Sequence, residues 1–541
     1  MSLLRPTFMG FETGKRAIEV NQKAIDIVAN NLSNVDTPGY TRQRLDVASI
    51  TPSAYAMRVS GSKIGVMGQG IEALGVSQIR DVFLDKRFRD EYGKAAYHSQ
   101  SATLLKDIQA ALGDGGDITD ESALFGALAQ IYRALHDYAY EPTLESQANI
   151  VLAAFRNFTK VLQQLDAKLD SVADAQIFDV SLDVDRVNEI FNEIAHYNYL
   201  ISRDTTVMAD PNNEYFRPNE LLDKRNLLLD ELAGFGDINV TTLANGMVNV
   251  DFADRRAVDG KDYTSIRLDV RNDKTIGIVW NDTGNDVKFA EGSGSLKANR
   301  DFLNGRGINA QNPYETVNEG IPFYRDKLDT MAQAFANLVN NIIPEVRKPA
   351  SPEEPYNSEP LTDDDGNIIY KNLIGARVAE TYINSDGVEE ARYVVYPEGK
   401  VTAANINISD EWEKNGPGYF IYDKNENIDN YALQICVGLT SKEQKFISPS
   451  STFTGTFEDY VADYVTKLAS QIKYQEGRFE STAMMADDFL DRRDEISGVN
   501  RDEETANMLI FQKSYNAAAR LITTLDEMID VIVNRMGLVG R

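Results

Sequence analysis

Apolar residues at spacings of three, four and seven mark both ends of the chain. In residues 13–35, Ile18, Ile25, Val28, Leu32 and Val35 share one side of a helix, with Asn21 in the seam position between the first two. That helix is expected to stop in Asn30-Asn31-Leu32-Ser33-Asn34, ahead of Thr37-Pro38-Gly39-Tyr40. Pro38 pushes Thr37 into extended backbone, and Gly39 suits the positive φ of a type II turn. At the other end, Met508, Phe511, Tyr515, Ala518, Ile522, Leu525, Ile529, Ile532 and Met536 step alternately by three and four, the seam of a coiled coil. A second row, Ala506, Ile510, Ala517, Leu521, Met528 and Val531, makes this face wider than one partner helix covers. Asn500 can cap the helix with Glu503 placed for a capping box, and Asp502, Glu503 and Glu504 sit where the helix dipole favours anions. Such a helix is either buried within one subunit or shared between subunits. Its breadth favours sharing, since the N-terminal helix covers only part of it.

Between the ends the period changes several times. Residues 41–80 read as extended and glycine-punctuated, and 81–200 as mostly helical, with Leu124, Leu128, Ile131 and Leu135 at steps of four, three and four. Around 236–290, alternating runs such as Val248-Asn249-Val250-Asp251-Phe252, with turns at Asn245-Gly246 and Asp259-Gly260, predict strands and hairpins. Residues 295–343 return to helix. Pro349, Pro352, Pro355 and Pro360 then place four of the 16 prolines within a short loop or linker. Residues 361–455 read as strand-like, including Tyr393-Val394-Val395-Tyr396 and Leu433 to Val437, and 457–540 as helical. The fold class expected is α+β multidomain: terminal helices forming a coiled-coil layer, a helical-bundle domain and two β-rich inserted domains that project outward. Its units are 1–80 with 497–541, 81–235 with 291–345 and 456–496, the insertion 236–290, and the outer insertion 346–455.

Charge sharpens that layout. The 541 residues carry 83 acidic and 55 basic side chains, a net charge of −28. Such a field repels phosphate backbones and anionic lipid heads, so neither nucleic acid nor a membrane surface is an expected partner. Residues 351–460 hold 20 acidic and 8 basic groups, a net of −12, whereas residues 1–50 hold 5 and 6, a net of +1. The ends are therefore free to pack on one another, and the acid belongs on the outside.

Candidate chemistry is sparse. Asp363-Asp364-Asp365-Gly366-Asn367 resembles a calcium loop, but setting Gly366 at the sixth position puts Leu361 first and Asn372 twelfth, where carboxylates are needed. Gly292-Ser293-Gly294-Ser295 lacks the Gly-Lys-Ser/Thr of a phosphate loop and reads as a joint. His98, His136 and His196 each lie in tyrosine-containing helical stretches, outside any zinc-protease pattern, and are expected to pack. Cys436, the single cysteine, is flanked by Ile435 and Val437 and reads as a buried inert thiol; alone it cannot form an intramolecular disulfide. No catalytic, metal or cofactor site is expected, nor a cleaved signal peptide, since Met1–Gly10 lacks a sustained apolar core.

Three stretches carry a family resemblance. Ala29 to Gln43 (ANNLSNVDTPGYTRQ) closely resembles the N-terminal motif shared by bacterial flagellar rod, hook and hook-associated proteins. Ser497-Gly498-Val499-Asn500-Arg501-Asp502-Glu503-Glu504, running into Met508 to Tyr515, and Asn219 to Leu232 (NELLDKRNLLLDEL) resemble the hook-associated members of that family. The resemblance covers residues 1–345 and 455–541, with Asp36 where the family more often has Asn. Residues 346–454 look like its variable outward domain, matched only at Thr402-Ala403-Ala404-Asn405-Ile406.

The resemblance implies a secreted structural protein of the flagellum, not an enzyme, exported unprocessed through the type III channel. An export chaperone would hold its C-terminal helix. It implies a ring-like homo-oligomer at the junction of hook and filament, touching the hook protein on one side and a second junction protein on the other. The assembly interface would comprise Ile18, Ile25, Val28, Leu32, Asn30, Asn31, Asn34, Pro38 and Gly39, with Met508, Phe511, Tyr515, Ala518, Ile522, Leu525, Ile529 and Ile532. The alternatives are another axial subunit, of hook or rod, or an axial subunit whose insertion binds calcium or a glycan.

Overall fold

A computed structural model describes residues 9–50, 70–113, 124–141, 144–204, 218–308, 310, 313–345, 360–363, 365–383, 389–396, 400–420, 431–447, 452–531 and 533. Helix α1 (Met9–Ser33) leads through a turn into an antiparallel hairpin, β1 (Gln43–Ser49) and β2 (Ile71–Gln78). Helices α2 (Val82–Leu112), α3 (Leu124–Tyr140), α4 (Glu145–Ser202) and α5 (Asn219–Phe235) follow. Strands β3 (Ile238–Thr242), β4 (Val248–Phe252), β5 (Arg255–Asp259) and β6 (Asp262–Tyr263) form an antiparallel meander, and β7 (Ile266–Val270) and β8 (Ile276–Trp280) a second hairpin. Helices α6 (Ser295–Asn304) and α7 (Ile321–Asn340) come next. A mixed segment holds β9 (Ile374–Ile383), β10 (Glu389–Tyr396), β11 (Ile406–Ile408), α8 (Asp410–Asn415), α9 (Tyr431–Leu439), β12 (Lys445–Ile447) and β13 (Thr452–Thr454). Helices α10 (Phe457–Ser497) and α11 (Arg501–Asp530) complete the described chain. The fold is mixed α+β, mostly helical with small sheets.

The spine is α4, 58 residues long and about 87 Å from end to end. It stays helical because buried positions recur at steps of three and four, among them Val151, Phe155, Phe158, Leu162, Leu165 and Leu169 in its first half and Val180, Val184, Val187 and Phe191 in its second. The first half packs on α3 and α7; the second carries α5 and the meander. Asn198, fully buried near the end of α4, latches the meander: its amide donates to Val248 O (2.8 Å) and Gly260 O (2.7 Å), and its oxygen accepts from Val248 N (3.0 Å). The longest helix pairing after this is between α2 and α10, whose entry is set by a capping box between Thr456 and Asp459.

The hairpins expected within 236–290 are present, with Gly246 and Gly260 at φ +79° and +60° in their turns. Three other expectations need correction. Residues 295–343 are not one continuous helical stretch, since α6 and α7 are separated by a loop that Arg306 pins to Glu315 (2.6 Å) and Asp326 (2.9 Å). Leu433 to Val437, expected as strand, lies in helix α9. The apolar run hid a helical period: Ala432, Ile435, Cys436 and Leu439 are the buried positions, on the side packed against α3 and α7.

The third correction concerns the outer insertion. It carries helices α8 and α9 beside its strands, and contacts through Trp412, Ile406 and Phe446 seat its described part on the helical body. Trp412 of α8 is fully buried edge-on to Phe155 of α4, with ring centroids 5.2 Å apart, and Phe420 stacks on its other side at 5.7 Å. Phe446 of β12 stacks on Tyr460 of α10 at 4.3 Å, and Gln163 of α4 donates to Ile406 O at 2.7 Å. Of the four prolines expected in a linker, Pro349, Pro352 and Pro355 fall outside the described residues.

Phe155 joins the two parts, so Phe155→Ala should cost about 3–5 kcal/mol. With Trp280→Phe to leave one fluorophore, thermal melts should shift down and Trp412 emission should move red. Unchanged melting and emission would show that this contact does not hold the insertion in place.

Candidate assembly interface

The two chain ends meet. Helices α1 and α11 lie antiparallel, Gly10 against Leu525 and Gly14 against Ile522, with Asn31 opposite Glu504. Small residues make the approach close: a Cβ on Gly14 would lie 2.8 Å from Ile522 Cγ1. On α11 the expected seam faces α1, with Ala518 buried and Met508, Phe511, Tyr515, Ile522, Leu525 and Ile529 half-buried. Ile532 and Met536 lie outside the residues whose side chains are described. The second row stays outside: Ile510 is 58% exposed, Leu521 45% and Met528 57%.

On α1 the centre of the seam is displaced from the expected one. Ile18, Ile25 and Leu32 are half-buried, and the deepest positions are Gly14, Val20, Ala24, Val28 and Asn31. The reason is that α1 has two neighbours, α11 and the β1–β2 hairpin, so its buried face is not a single coiled-coil stripe. Asn21 does not face a partner polar group but donates to Ala17 O of its own helix at 2.6 Å.

The motif following α1 is a polar knot. Asn34 closes the helix by donating to Asn30 O (2.9 Å), and Thr37 Oγ1 donates to Asn34 Oδ1 (3.2 Å). Tyr40 N donates to Thr37 O (3.2 Å) across the turn, and Gly39 sits at φ +76°, as the type II turn requires. Tyr40 OH then donates to Asn31 Oδ1 at 2.8 Å, and Gln43 N donates to the same oxygen at 3.1 Å. Asn31 Nδ2 donates to Gln43 O and to Glu504 Oε2, both at 2.9 Å. Glu504, 2% exposed, also accepts from Arg42, at 2.9 Å from Nε and 2.7 Å from the terminal nitrogen. Burial, reinforced by Asp223, Glu504 and Glu220, pushes the Tyr40 phenol up to about 12, so it remains a donor.

Two sequence expectations change here. Asn500 caps α11 through Asp502 N (3.0 Å) and Glu503 N (3.2 Å), but Glu503 reaches Arg42 at 3.1 Å, so only half of the capping box forms. Asn31 is fully engaged inside the chain and cannot touch a neighbouring subunit, while Asn30, Pro38 and Gly39 are exposed. Glu504 and Arg42 were not singled out as partners by sequence reasoning. No local pattern joins residues 462 apart.

Helix α5 ties this knot to the body. Asp223 accepts from Thr41 N (3.2 Å) and from Gln78 (2.8 Å), and Asn219 donates to Val76 O (3.2 Å). Further along, Asp230 takes Arg89 of α2 on one oxygen (2.6 Å) and Arg493 of α10 on the other (2.7 Å). Between the knot and the body lies a mostly polar cleft of about 640 Å³.

Of the three histidines expected to pack, only His98 does: it is buried, 2.7 Å from Gln475, and burial lowers its pKa, whereas His136 and His196 are exposed beside tyrosines. Burial pushes the Cys436 thiol up to about 11. Asp363 Oδ1 accepts from the backbones of Asp365 (3.0 Å) and Asn367 (2.7 Å), so this carboxylate closes its own turn; Asp364 lies outside the described residues. Among the described residues no group of His, Cys, Asp and Glu could hold a metal ion, and no helix is long and apolar enough to cross a membrane.

Three family models match in order along the chain: a flagella basal body rod protein model over residues 11–41, the helical domain of flagellar hook-associated protein FlgK over 108–343, and the C-terminal model of basal body rod FlgEFG proteins over 491–536. Flagellar hook-associated protein 1 of Bacillus subtilis is 27% identical over 99% of both chains. The chain is similar to the flagellar hook-associated protein 1 family along its whole length. The Salmonella typhimurium member is 21% identical over 95% of this chain and 97% of its own. A solved flagellar hook junction protein FlgK from Burkholderia pseudomallei overlaps 60% of this chain and 57% of its own, at a TM-score of 0.40 and 14% identity. Members of this family are structural components of the flagellum, not enzymes. The first and last models fall on α1 and α11, the two helices that the knot joins.

Removing Glu504 leaves Arg42 and Asn31 without their buried acceptor, so Glu504→Ala should cost about 3 kcal/mol. Hydrogen exchange should accelerate in α1 and α11 and not in α4. Asn31→Asp should also loosen the pair, and recover as pH falls, because two facing carboxylates repel until one takes a proton. Unaltered exchange in Glu504→Ala would exclude the knot as the tie between the chain ends.

Proposed function

We propose that this chain is the structural subunit joining flagellar hook to filament, assembled through α1 and α11 as a ring-like homo-oligomer. The observation that carries the reading is the division of α11: one apolar row is spent on α1, and a second row, Ile510, Leu521 and Met528, is left to solvent. A row of that kind on a long terminal helix is what an inner intersubunit layer needs. The near-neutral first 50 residues suit that layer, and the relatives named flagellar hook-associated protein 1 span the whole chain.

On this reading the units are 1–80 with 497–541 as the inner layer, 81–235 with 291–345 and 456–496 as the helical core, and 236–290 and 346–455 as insertions. Ile18, Ile25, Leu32, Pro38 and Gly39, half-buried or exposed, remain available to neighbouring copies. The hook protein lies on one side and a second junction protein on the filament side. The subunit leaves the cell through the type III channel, and a chaperone covers the outer row of α11 until assembly.

Deleting the gene should give cells with hooks and no filaments, scored by electron microscopy; normal filaments would sink the reading, and missing hooks would point to a hook or rod subunit. Leu521→Glu and Ile510→Asp should leave melting within about 0.5 kcal/mol of the parent, since both positions are exposed. The same variants should fail to enter flagella. Incorporation at the parent level would exclude the outer row as the intersubunit contact.

A further inference from the structure

The meander of β3 to β6 ends on β3, whose outer edge has no strand beside it among the described residues. Two bonds set the phase of its ladder: Ala253 N donates to Asp237 O (2.9 Å), and Leu243 N donates to Met247 O (2.8 Å). Residues 237 and 243 therefore bond across to β4, as do 239 and 241 between them, and Ile238, Val240 and Thr242 turn their N–H and C=O groups outward. Ile238 and Val240 direct their side chains toward the core, so the outward groups at these positions are backbone.

These outward groups border a cleft of about 450 Å³, walled on the other side by residues of α2 and α5. In a chain of net charge −28 the lining is cationic: Arg80, Lys86, Arg89 and Arg225, against Asp85 as the carboxylate among the described lining residues. Asp85 is paired with Arg80 at 2.6 Å. Arg89 shares the single carboxylate of Asp230 with Arg493, and one of its terminal nitrogens is buried with no acceptor among the described residues. Arg225, 4% exposed, donates to the neutral oxygens of Asn198 (3.0 Å) and Gly246 (2.7 Å). Lys86 is exposed, with Asp90 one turn along the same helix.

We propose that this cleft binds an extended acidic peptide segment, added as a strand to β3 with its carboxylates toward Arg80, Lys86 and Arg89. An open strand edge supplies main-chain donors and acceptors in a row, which is how sheets take up extended peptides. The surrounding cations select for Asp and Glu at the alternate positions that face them. A long polyanion such as nucleic acid would also meet the acidic remainder of the surface, whereas a short segment senses only charges within a Debye length, about 8 Å.

The test is fluorescence anisotropy on the full chain with a short labelled peptide of alternating Glu and Val, and a Lys–Val peptide as control. The Glu peptide should bind saturably and more weakly at high salt; the Lys peptide should not bind. Lys86→Glu should weaken binding about tenfold, by reversing one charge at the cleft. Thr242→Pro should do the same by deleting an outward N–H at an exposed edge position where no ladder bond is lost. Circular dichroism and melting should match the parent in both; if Thr242→Pro does not fold, Lys86→Glu alone decides. No binding, equal binding of the two peptides, or folded variants that bind like the parent would each overturn the proposal. So would self-association without peptide binding that both variants abolish, which would assign the edge to a second copy of the chain.

Discussion

A carboxylate with 2% exposure can persist as a charge only if its donors are in place, because taking an ion out of water costs several kcal/mol. For Glu504 those donors are Asn31 and Arg42, more than 460 residues earlier. The pairing of α1 with α11 follows from that requirement together with the glycines that let the helices close on each other. Once the ends are joined, everything between them is a closed excursion that leaves and returns at one place. Loop-closure entropy grows only logarithmically with length, so a long excursion adds little cost.

The two parts of the molecule are held by different physics. The body is an aromatic core that runs from Phe155 and Phe158 through Phe335 and Trp412 to Phe457 and Tyr460, all fully buried. Truncating one such ring costs about 3–5 kcal/mol. The knot is joined to the body by hydrogen bonds from Thr41, Gln78 and Asn219, by Arg42 N to Ser497 O at 2.8 Å, and across a polar cleft. Bonds of that kind exchange for water at about 1 kcal/mol each. The body therefore owes little of its stability to the terminal pair.

What the sequence made legible was periodic or local. The seam of α11, the turn at Gly39, the hairpins at Gly246 and Gly260 and the cap at Asn500 each depend on residues within a few positions of one another. Helix α9 was misread because a run of nine mostly apolar residues carries both periods, and only its packing against α3 and α7 selects one. The seam of α1 was displaced because a second neighbour, the β1–β2 hairpin, is invisible to a heptad count. Trp412 against Phe155 and Glu504 against Arg42 join residues hundreds of positions apart, and composition gave no reason to pair them.

Charge and apolar surface are kept apart along α4. The acidic insertion is fastened near Gln163, which bonds Ile406 O, while α5, which carries the terminal knot, is fastened by Arg186 to Glu231 at 2.7 Å. Those anchor points are 23 residues apart on one helix, about 35 Å. At physiological salt the Debye length is about 8 Å, so the net −12 of the insertion region is screened from the helix pair. The outer row of α11 therefore feels its own apolar surface and not the repulsion of the acidic bodies. Two copies that approach insertion to insertion repel, and two that approach helix to helix do not. The distribution of charge thus favours one orientation of contact before any specific complementarity is needed.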